Sequence, residues 1–426
     1  VNTLYKVLFT GSIILINPMG TMRGEIWTQP KVFIIVLISI LNLLNLWSER
    51  KQLKIPHTWK ISQLLWQIFL GIGLISTITS PFPLFSLFGQ EQMGDGLLYW
   101  LLIATFTLSN NLLLRLHPEL TRSQLQGLVI GGIILALCIF PQAIDWRIDY
   151  TATTGQLMQS NVLLSTIFQN QQPIGLYSHR GHASFVLASV AVLTLVGWQW
   201  KWISTRKTFV ALALIIPALL LTQTRAGLLA LIVATAYLLG RQHYKLIVPA
   251  ALVCLLIIGI TTSTRQINNL PVIKQLTSDR IYLWQLSSRG INQRPLLGWG
   301  MNGFAIAYPH VLNSQWAKIR RLDDFSFDFQ RQYGHISTLA LPTAKAHNLI
   351  LDTTLSLGML GMLSYLTLLG FCLYLLLQSP YRGIEAVVIA YVAFTFTWFD
   401  CAQYTHLVWW SLSFFSLPRI REQIIP

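Results

Sequence analysis

Apolar runs of about 18 residues or more recur from one end of this 426-residue chain to the other. Roughly 20 consecutive apolar residues cross the hydrocarbon of a bilayer as a helix. In lipid the backbone must satisfy its own polar groups, which leaves helices or closed barrels. Barrel strands alternate apolar and polar positions; the runs here are continuous. The fold class expected is therefore an all-α polytopic membrane protein. Charged residues are only 11% of the chain, against about a quarter in an ordinary soluble domain. The first run lacks a small-residue cleavage site and many more follow it, so it reads as a span rather than a cleavable signal peptide.

About 12 transmembrane helices are predicted, at 4–20, 31–48, 61–79, 97–114, 124–143, 183–200, 207–223, 226–240, 245–263, 348–377, 384–400 and 404–418. Positive charge sorts the short loops into two sets. Arg50, Lys51, Lys54 and Lys60, then Arg115 and Arg122, then Lys201, Arg206 and Lys207, then Arg241 and Lys245, Arg382, and finally Arg419 and Arg421 fall on one side, whereas 80–96 and 401–403 carry no lysine or arginine. The positive-inside rule then puts both termini in the cytoplasm. Much of the net charge of +15 is thus a topology signal rather than a nucleic-acid footprint, and no nucleic-acid partner is expected.

Two long segments fall on the other side, 144–182 and 264–347. The chain accordingly divides into 1–263 (spans one to nine), 264–347 (a large outer loop) and 348–426 (spans ten to twelve and a short tail). The second loop holds ten Lys or Arg, but loops of that length escape the positive-inside rule. Long loops in compact proteins are usually functional. Helix-like apolar spacing at Tyr282, Trp284 and Leu286 predicts a partly helical, folded cap. Cys138, Cys254, Cys372 and Cys401 lie in or beside apolar runs, too far apart for a metal motif, and read as packing residues.

Several polar residues stand where these outer segments meet the apolar runs. Arg225, in Thr224-Arg225-Ala226-Gly227, joins spans seven and eight with almost no loop. An arginine near hydrocarbon costs a few kcal/mol unless it is paired or snorkels to the interface; an anionic ligand would satisfy it, since guanidinium binds phosphate bidentately. Arg280, Arg289 and the glycines of Arg294-Pro295-Leu296-Leu297-Gly298-Trp299-Gly300 read either as an anion-binding backbone path or as a turn after a surface helix. His179, Arg180 and His182 enter span six, as anion or proton groups or as a polar cap; no cysteine or carboxylate joins them, so no metal is expected there. His347 and Asn348 start span ten. Imidazole suits a general base, Asn is a good cap, and a helix N-terminus attracts anions. Asp352 lies about one and a half turns further, and Gly358 and Gly361 are three apart, as on a helix face that lets a neighbour approach. Each of these taken alone also has a structural reading: a snorkelling arginine, a capped helix, a small-residue face.

Together they resemble a known family. His347-Asn348, nine residues, then Gly358-Met359-Leu360-Gly361 resembles the signature of the O-antigen ligase family, which there follows the large periplasmic loop. Thr224-Arg225 is similar to that family's Ser/Thr-Arg turn, and Arg280 with Trp284, then Pro295 to Gly300 with Phe304, to its loop motif. The resemblance is specific from about 220 to 365 and architectural before that. It covers O-antigen ligases, O-antigen and exopolysaccharide polymerases and protein O-oligosaccharyltransferases. One departure is Ser356, where many members carry glutamate.

The resemblance implies a metal-independent, inverting glycosyl transfer on the periplasmic face of the bacterial cytoplasmic membrane, with no cofactor. The donor would be a glycan on undecaprenyl diphosphate, and the acceptor a hydroxyl of lipid A–core, a glycan or a protein. On this sequence Arg225 and Arg280 would hold the diphosphate, His347 would activate the acceptor and Asn348 would orient it; His179, Arg180, His182 and Arg289 would bind substrate. Ligase is the favoured reading and polymerase the alternative. A transporter of polysaccharide or lipid would need polar residues lining several spans, and here they collect at one face. A purely structural subunit leaves Arg225 and His347 unexplained.

Overall fold

The computed structural model describes residues 2–144, 173–241, 280–312, 318–331, 334–341 and 343–417. The ninth expected span, Cys254, most of the first outer loop, residues 264–279 and the C-terminal tail lie outside them. Before the large loop come α1 (Asn2–Ile14), a π-helical turn (Gly24–Thr28), α2 (Gln29–Ser48), α3 (His57–Ile78), the short α4 (Pro83–Phe88), α5 (Leu97–Leu116), α6 (Leu120–Ala143), α7 (Arg180–Gln199), α8 (Thr205–Leu221) and α9 (Arg225–Gly240). The cap contributes α10 (Ile281–Gln293), α11 (Gly303–Leu312) and strands β1 (Lys318–Leu322), β2 (Ser326–Gln330) and β3 (Ile336–Ala340). Then follow α12 (Leu349–Leu377), α13 (Glu385–Thr395) and α14 (Thr405–Leu412).

Among the described residues six helices are long and apolar enough to cross a membrane: Gly24–Ser48 with its π turn, α3, α5, α6, α7 and α12. α9 and α13 are apolar but shorter. Large apolar side chains are left uncovered on the outer faces of the long helices, among them Phe33, Leu44, Leu64, Ile78 and Leu363, and on α8, where Phe209 is exposed. In water such faces would be an association hazard; hydrocarbon covers them at no cost. α7 is the inverse case. It is buried along nearly its whole length against α6, α8, α9 and α13, and so forms the centre of the bundle. An aromatic knot of Trp66, Phe69, Trp100, Tyr365 and Trp409 joins α3, α5, α12 and α14, with Trp66 and Trp409 at 4.5 Å between centroids.

Helix ends sort into two groups, as the loop charges do. At the basic end His117 bonds Glu49 at 2.9 Å and the Trp200 indole donates to the Arg382 carbonyl at 3.1 Å. The opposite end gathers 90–96, 176–182, 280–300, 345–348 and 396–404. Lys31 is a fully buried ammonium there; it donates to the carbonyls of Leu15, Trp27 and Leu176 and stands 4.4 Å over the Tyr177 ring.

The cap is not purely helical. β1, β2 and β3 form a three-stranded antiparallel sheet in sequence order. Phe327 and Phe329 alternate inward from β2 and pack with Leu286, Phe304 and Tyr308 in a small core of its own. The helix expected around Tyr282 to Leu286 is α10.

α12 is interrupted at Gly358, whose φ of 67° and ψ of −172° are not helical. That interruption leaves carbonyls on one side and N–H groups on the other without helical partners, and the cap loop supplies them. Trp299 and Gly300 N–H donate to the Leu355 and Ser356 carbonyls at 3.0 and 2.9 Å, and Met359 N–H donates to the Pro295 carbonyl at 2.8 Å. The Ser76 hydroxyl of α3 donates to the Leu297 and Ser356 carbonyls at 2.5 and 2.9 Å, pinning both strands of the joint. A Cβ on Gly358 would collide with the Leu296 carbonyl, and one on Gly298 with the Ser356 carbonyl. The close approach expected at Gly358 and Gly361 is made at Gly358 by cap backbone across a break in the helix, and not by a neighbour on an unbroken helix face. The space at Gly358 is taken by cap backbone, and that at Gly361 by Leu357 of its own helix. It also removes the anion reading of Gly298 and Gly300, since the N–H groups around them are spent on α12.

Candidate functional site

His347 sits on the tight approach to α12, with a left-handed φ of 58° that side chains rarely adopt. Its neighbours hold that conformation. Asn348 caps the helix, its side-chain oxygen accepting from Ile350 and Leu351 N–H at 3.1 Å each, while its Nδ2 donates to the Phe396 carbonyl at 3.2 Å. One carboxylate oxygen of Asp352 accepts from Ala346 N–H at 2.7 Å, and the Trp284 indole donates to the Ala346 carbonyl at 3.1 Å. Lys345 pairs with Asp95, both buried. Burial would lower the Lys345 ammonium, but Asp95, Asp352 and Asp400 outweigh it and hold it above the usual range.

The His347 ring stands edge-on to Trp398 and Phe399, with centroids 5.3 and 4.8 Å away. Its Nδ1 lies 3.2 Å from the Lys345 carbonyl. A carbonyl only accepts, so Nδ1 carries the proton and Nε2 is left as the acceptor. Burial first, and then the charge of Arg280, push the imidazole down to about 3, so the ring is neutral near pH 7. The Arg280 guanidinium lies 5.2 Å over the face of Trp398 and donates to the Thr397 carbonyl. Burial lowers it only to about 10, which keeps it charged. His179 also packs on Trp398, with ring centroids 5.1 Å apart. His179 Nδ1 accepts from Gly181 N–H at 2.9 Å, and burial followed by Arg180, Arg23 and Arg280 pushes it down to about 4. Trp398 is thus the floor against which His347, Arg280 and His179 all pack, and Gly181 is small because that indole fills its side-chain space.

Behind this layer, His182 is fully buried. Its Nδ1 lies 3.4 Å from the Ser178 hydroxyl and 3.3 Å from the Gln403 side-chain oxygen, while Gln403 Nε2 donates to Ser178, Thr28 and the Gln92 carbonyl. This knot ties four segments distant in sequence. Below Lys345 is a cavity of about 40 Å³ that Asp95, Asp352, Asp400, Asn302 and Tyr365 line. It is wide enough for ordered water, and buried oxygens of Asp95, Asp352 and Asp400 have no protein partner there. Burial pushes Asp400 up to about 7. Among the described residues no group of three or more His, Cys, Asp or Glu is placed to hold a metal ion.

Of the residues singled out by sequence, the structure brings together His347, Asn348, Arg280, His179 and Arg180. Arg225 starts α9 with an exposed side chain; Gly227, half a turn on, packs on Ser184 of α7, one turn from Arg180, so both arginines stand at the same end of the bundle. Arg289 is exposed, two and a half turns along α10 from Arg280. Gly298, Gly300 and Gly358 form the joint beneath the cap. Sequence reasoning missed Trp398, Lys345 and Asp95. Trp398 carries a signal in hindsight, an indole within the polar break Thr397-Trp398-Phe399-Asp400 between two apolar runs; Asp95 and Lys345 are 250 positions apart and carry none.

Residues 210–366 match the family model described as O-antigen ligase. No curated protein matches the chain. The matched segment takes in Arg225, Arg280, the Pro295–Gly300 loop, His347 and Gly358, so the resemblance read from those residues is supported by the family comparison. With the apolar helices it supports a multi-pass membrane protein with a ligase- or polymerase-like role in polysaccharide biosynthesis, and a glycosyltransferase-like enzyme.

Proposed function

From the match of residues 210–366 to the O-antigen ligase model, we propose that the protein moves a glycan from undecaprenyl diphosphate to an acceptor hydroxyl on the periplasmic face, as an O-antigen ligase does. The observation that carries the reading is a neutral histidine whose Nε2 has no hydrogen-bond partner among the described residues, packed edge-on against an indole beside a charged guanidinium that has no acidic partner among them either. The acceptor oxygen attacks the anomeric carbon from the face opposite the diphosphate. The new C–O bond forms as the bond to the diphosphate oxygen breaks, which leaves the electron pair on the lipid diphosphate and inverts the centre. His347 Nε2 takes the hydroxyl proton. Arg280 and Arg225 stabilise the charge that develops on the leaving group, where preorganised donors contribute most.

A base pushed down to about 3 is weak in the empty site. An anion on the arginines offsets the part of that depression that Arg280 contributes, while burial, the larger cause, remains, so donor binding moves the imidazole upward from its empty-site value.

The test is transfer from lipid-diphosphate glycan by the purified chain, with lipid A–core, free glycan and protein offered as acceptors. His347→Ala and Arg225→Ala, expressed and folded normally, lose transfer; full activity in both sinks the proposal. Product on lipid A–core marks a ligase, and lengthened lipid-linked glycan a polymerase.

A further inference from the structure

We infer that the groove under the cap loop 294–298 is a binding site for a membrane phospholipid, with the lipid phosphate on the Arg294 guanidinium and an acyl chain against Leu296 and Ile78. The site is separate from the layer on Trp398, and it stands or falls apart from the transfer reaction. Arg280 and Arg294 flank α10 at opposite ends, about 20 Å apart at a helical rise of about 1.5 Å per residue.

Length sets the depth of this groove. About 20 helical residues cross the hydrocarbon. Counted back from Leu377, at the basic end of α12, that stretch ends near Gly358; counted forward from His57, at the basic end of α3, it ends near Ser76. The two helices run in opposite directions, yet both counts end on residues of one joint. The Ser76 hydroxyl donates to the Leu297 and Ser356 carbonyls there, at 2.5 and 2.9 Å. The loop that fills the break in α12 therefore lies at the boundary between hydrocarbon and headgroups. Its side chains suit that depth. Leu296 is 62% exposed and Ile78 67%, where a surface facing water would be polar. Ile75 lies one turn below Ile78 on α3, and Leu363 one turn below Leu360 on α12, all of them uncovered. The Leu360 N–H reaches the Leu296 carbonyl at 3.4 Å, so the loop sits directly on that face. The groove is thus continuous with the surfaces that hydrocarbon covers.

The groove encloses about 250 Å³ between Thr79, Pro295, Leu296, Leu297 and Gly298, and Arg294 is the one charged residue in its lining. The Arg294 guanidinium stands 4.5 Å over the Trp299 ring and donates one hydrogen bond, to the Thr79 carbonyl at 3.1 Å. A guanidinium has five N–H donors. Among the described residues Arg294 has no second acceptor and no carboxylate within ion-pair distance. A phosphate takes two such donors at once, and basic pockets beside membrane helices hold lipid headgroups in this way. A soluble anion would meet the cation equally well but leave Leu296 and Ile78 in water. A phosphate that carries acyl chains satisfies the cation and covers both side chains.

The experiment titrates the full chain in detergent with phosphatidylglycerol and reads the dissociation constant of the first lipid retained, by native mass spectrometry. Arg294→Gln raises that constant about tenfold or more, the usual worth of one charge-assisted bond. Leu296→Ser, which keeps the backbone bonds of the joint, raises it several-fold, and Arg280→Gln leaves it unchanged. Wild-type affinity in Arg294→Gln overturns the site. So does an equal loss in Arg280→Gln, which would put the lipid in the layer on Trp398. Inorganic phosphate that displaces the lipid at equal concentration marks a free-anion site, and diacylglycerol retained as tightly marks a purely apolar groove; either overturns the proposal. Should Arg294→Gln lower the melting temperature through its lost bond to Thr79, Leu296→Ser decides, because it leaves that bond intact. Wild-type affinity in Leu296→Ser then refutes the groove.

Discussion

Two groups of motif residues meet at one end of this bundle, and they treat their polar atoms in opposite ways. In the joint of Pro295–Gly300 with the interrupted α12, backbone donors and acceptors find partners in the protein, down to the Ser76 hydroxyl that serves two carbonyls. In the layer on Trp398, Arg280 and Arg180 pair with no carboxylate among the described residues, and His347 Nε2 has no hydrogen-bond partner among them. A closed set of bonds makes a rigid support; an open set of cations awaits something from outside. The difference teaches which motif residues hold shape and which meet substrate, and four measurements test it.

The largest effect falls on the open set. Arg280→Gln lowers kcat about 10²–10³-fold, as loss of one preorganised donor does, with a melting temperature near wild type. A loss of stability equal to the loss of activity would move Arg280 into the supporting set. Gly358→Ala is the mirror case. A φ of 67° with a ψ of −172° lies in a region essentially reserved for glycine and costs a side chain about 1–3 kcal/mol, and the clash with the Leu296 carbonyl adds about 1–3 kcal/mol. Denaturation in detergent should show roughly that loss, with activity falling only as the folded fraction falls; a stable but inactive protein would break the division.

The third test concerns protons. Burial and Arg280 hold His347 low in the empty site. A base is active above its pKa and lost as pH falls through it, and anion binding moves that pKa upward. The acidic limb of kcat, which reports the donor complex, therefore lies at higher pH than that of kcat/KM, which reports the free protein. Coincident limbs would show that the donor leaves the field at His347 unaltered. The smallest effect is at the seam between the two sets: Asn348→Ala removes a cap worth about 1 kcal/mol, and Asn348→Asp retains it. Since Nδ2 of Asn348 also donates to the Phe396 carbonyl and a carboxylate cannot, Asn348→Asp keeps the cap but should still lose about 1 kcal/mol of stability.

Much of this was legible in the sequence, for definite reasons. A long apolar run has one low-energy outcome in lipid, so α3, α5, α6, α7 and α12 were expected within a few residues. Arg280, His347 and His179 stood out because charged or titratable groups beside apolar runs are costly and rarely idle. The interruption at Gly358 did not, because two glycines three apart also fit an unbroken helix face, and what decides between the two is the backbone of residues 60 positions earlier. The sheet was overlooked although Ser326-Phe327-Asp328-Phe329-Gln330 alternates with period two. Trp398 emerged as the common floor only once 179, 280 and 347 were seen to converge on it.

Lys31 has a consequence for how the molecule is made. Two of its three carbonyl partners, Leu15 and Trp27, leave the ribosome before or just ahead of it, but the third, Leu176, follows 145 positions later. During synthesis the ammonium in α2 is therefore inserted with its third acceptor missing, and the first hairpin stays provisional until α7 arrives. Biogenesis of the α1–α2 pair is thus coupled to that of the central helix, so a nascent chain arrested before residue 176 should turn over faster than one arrested beyond α7.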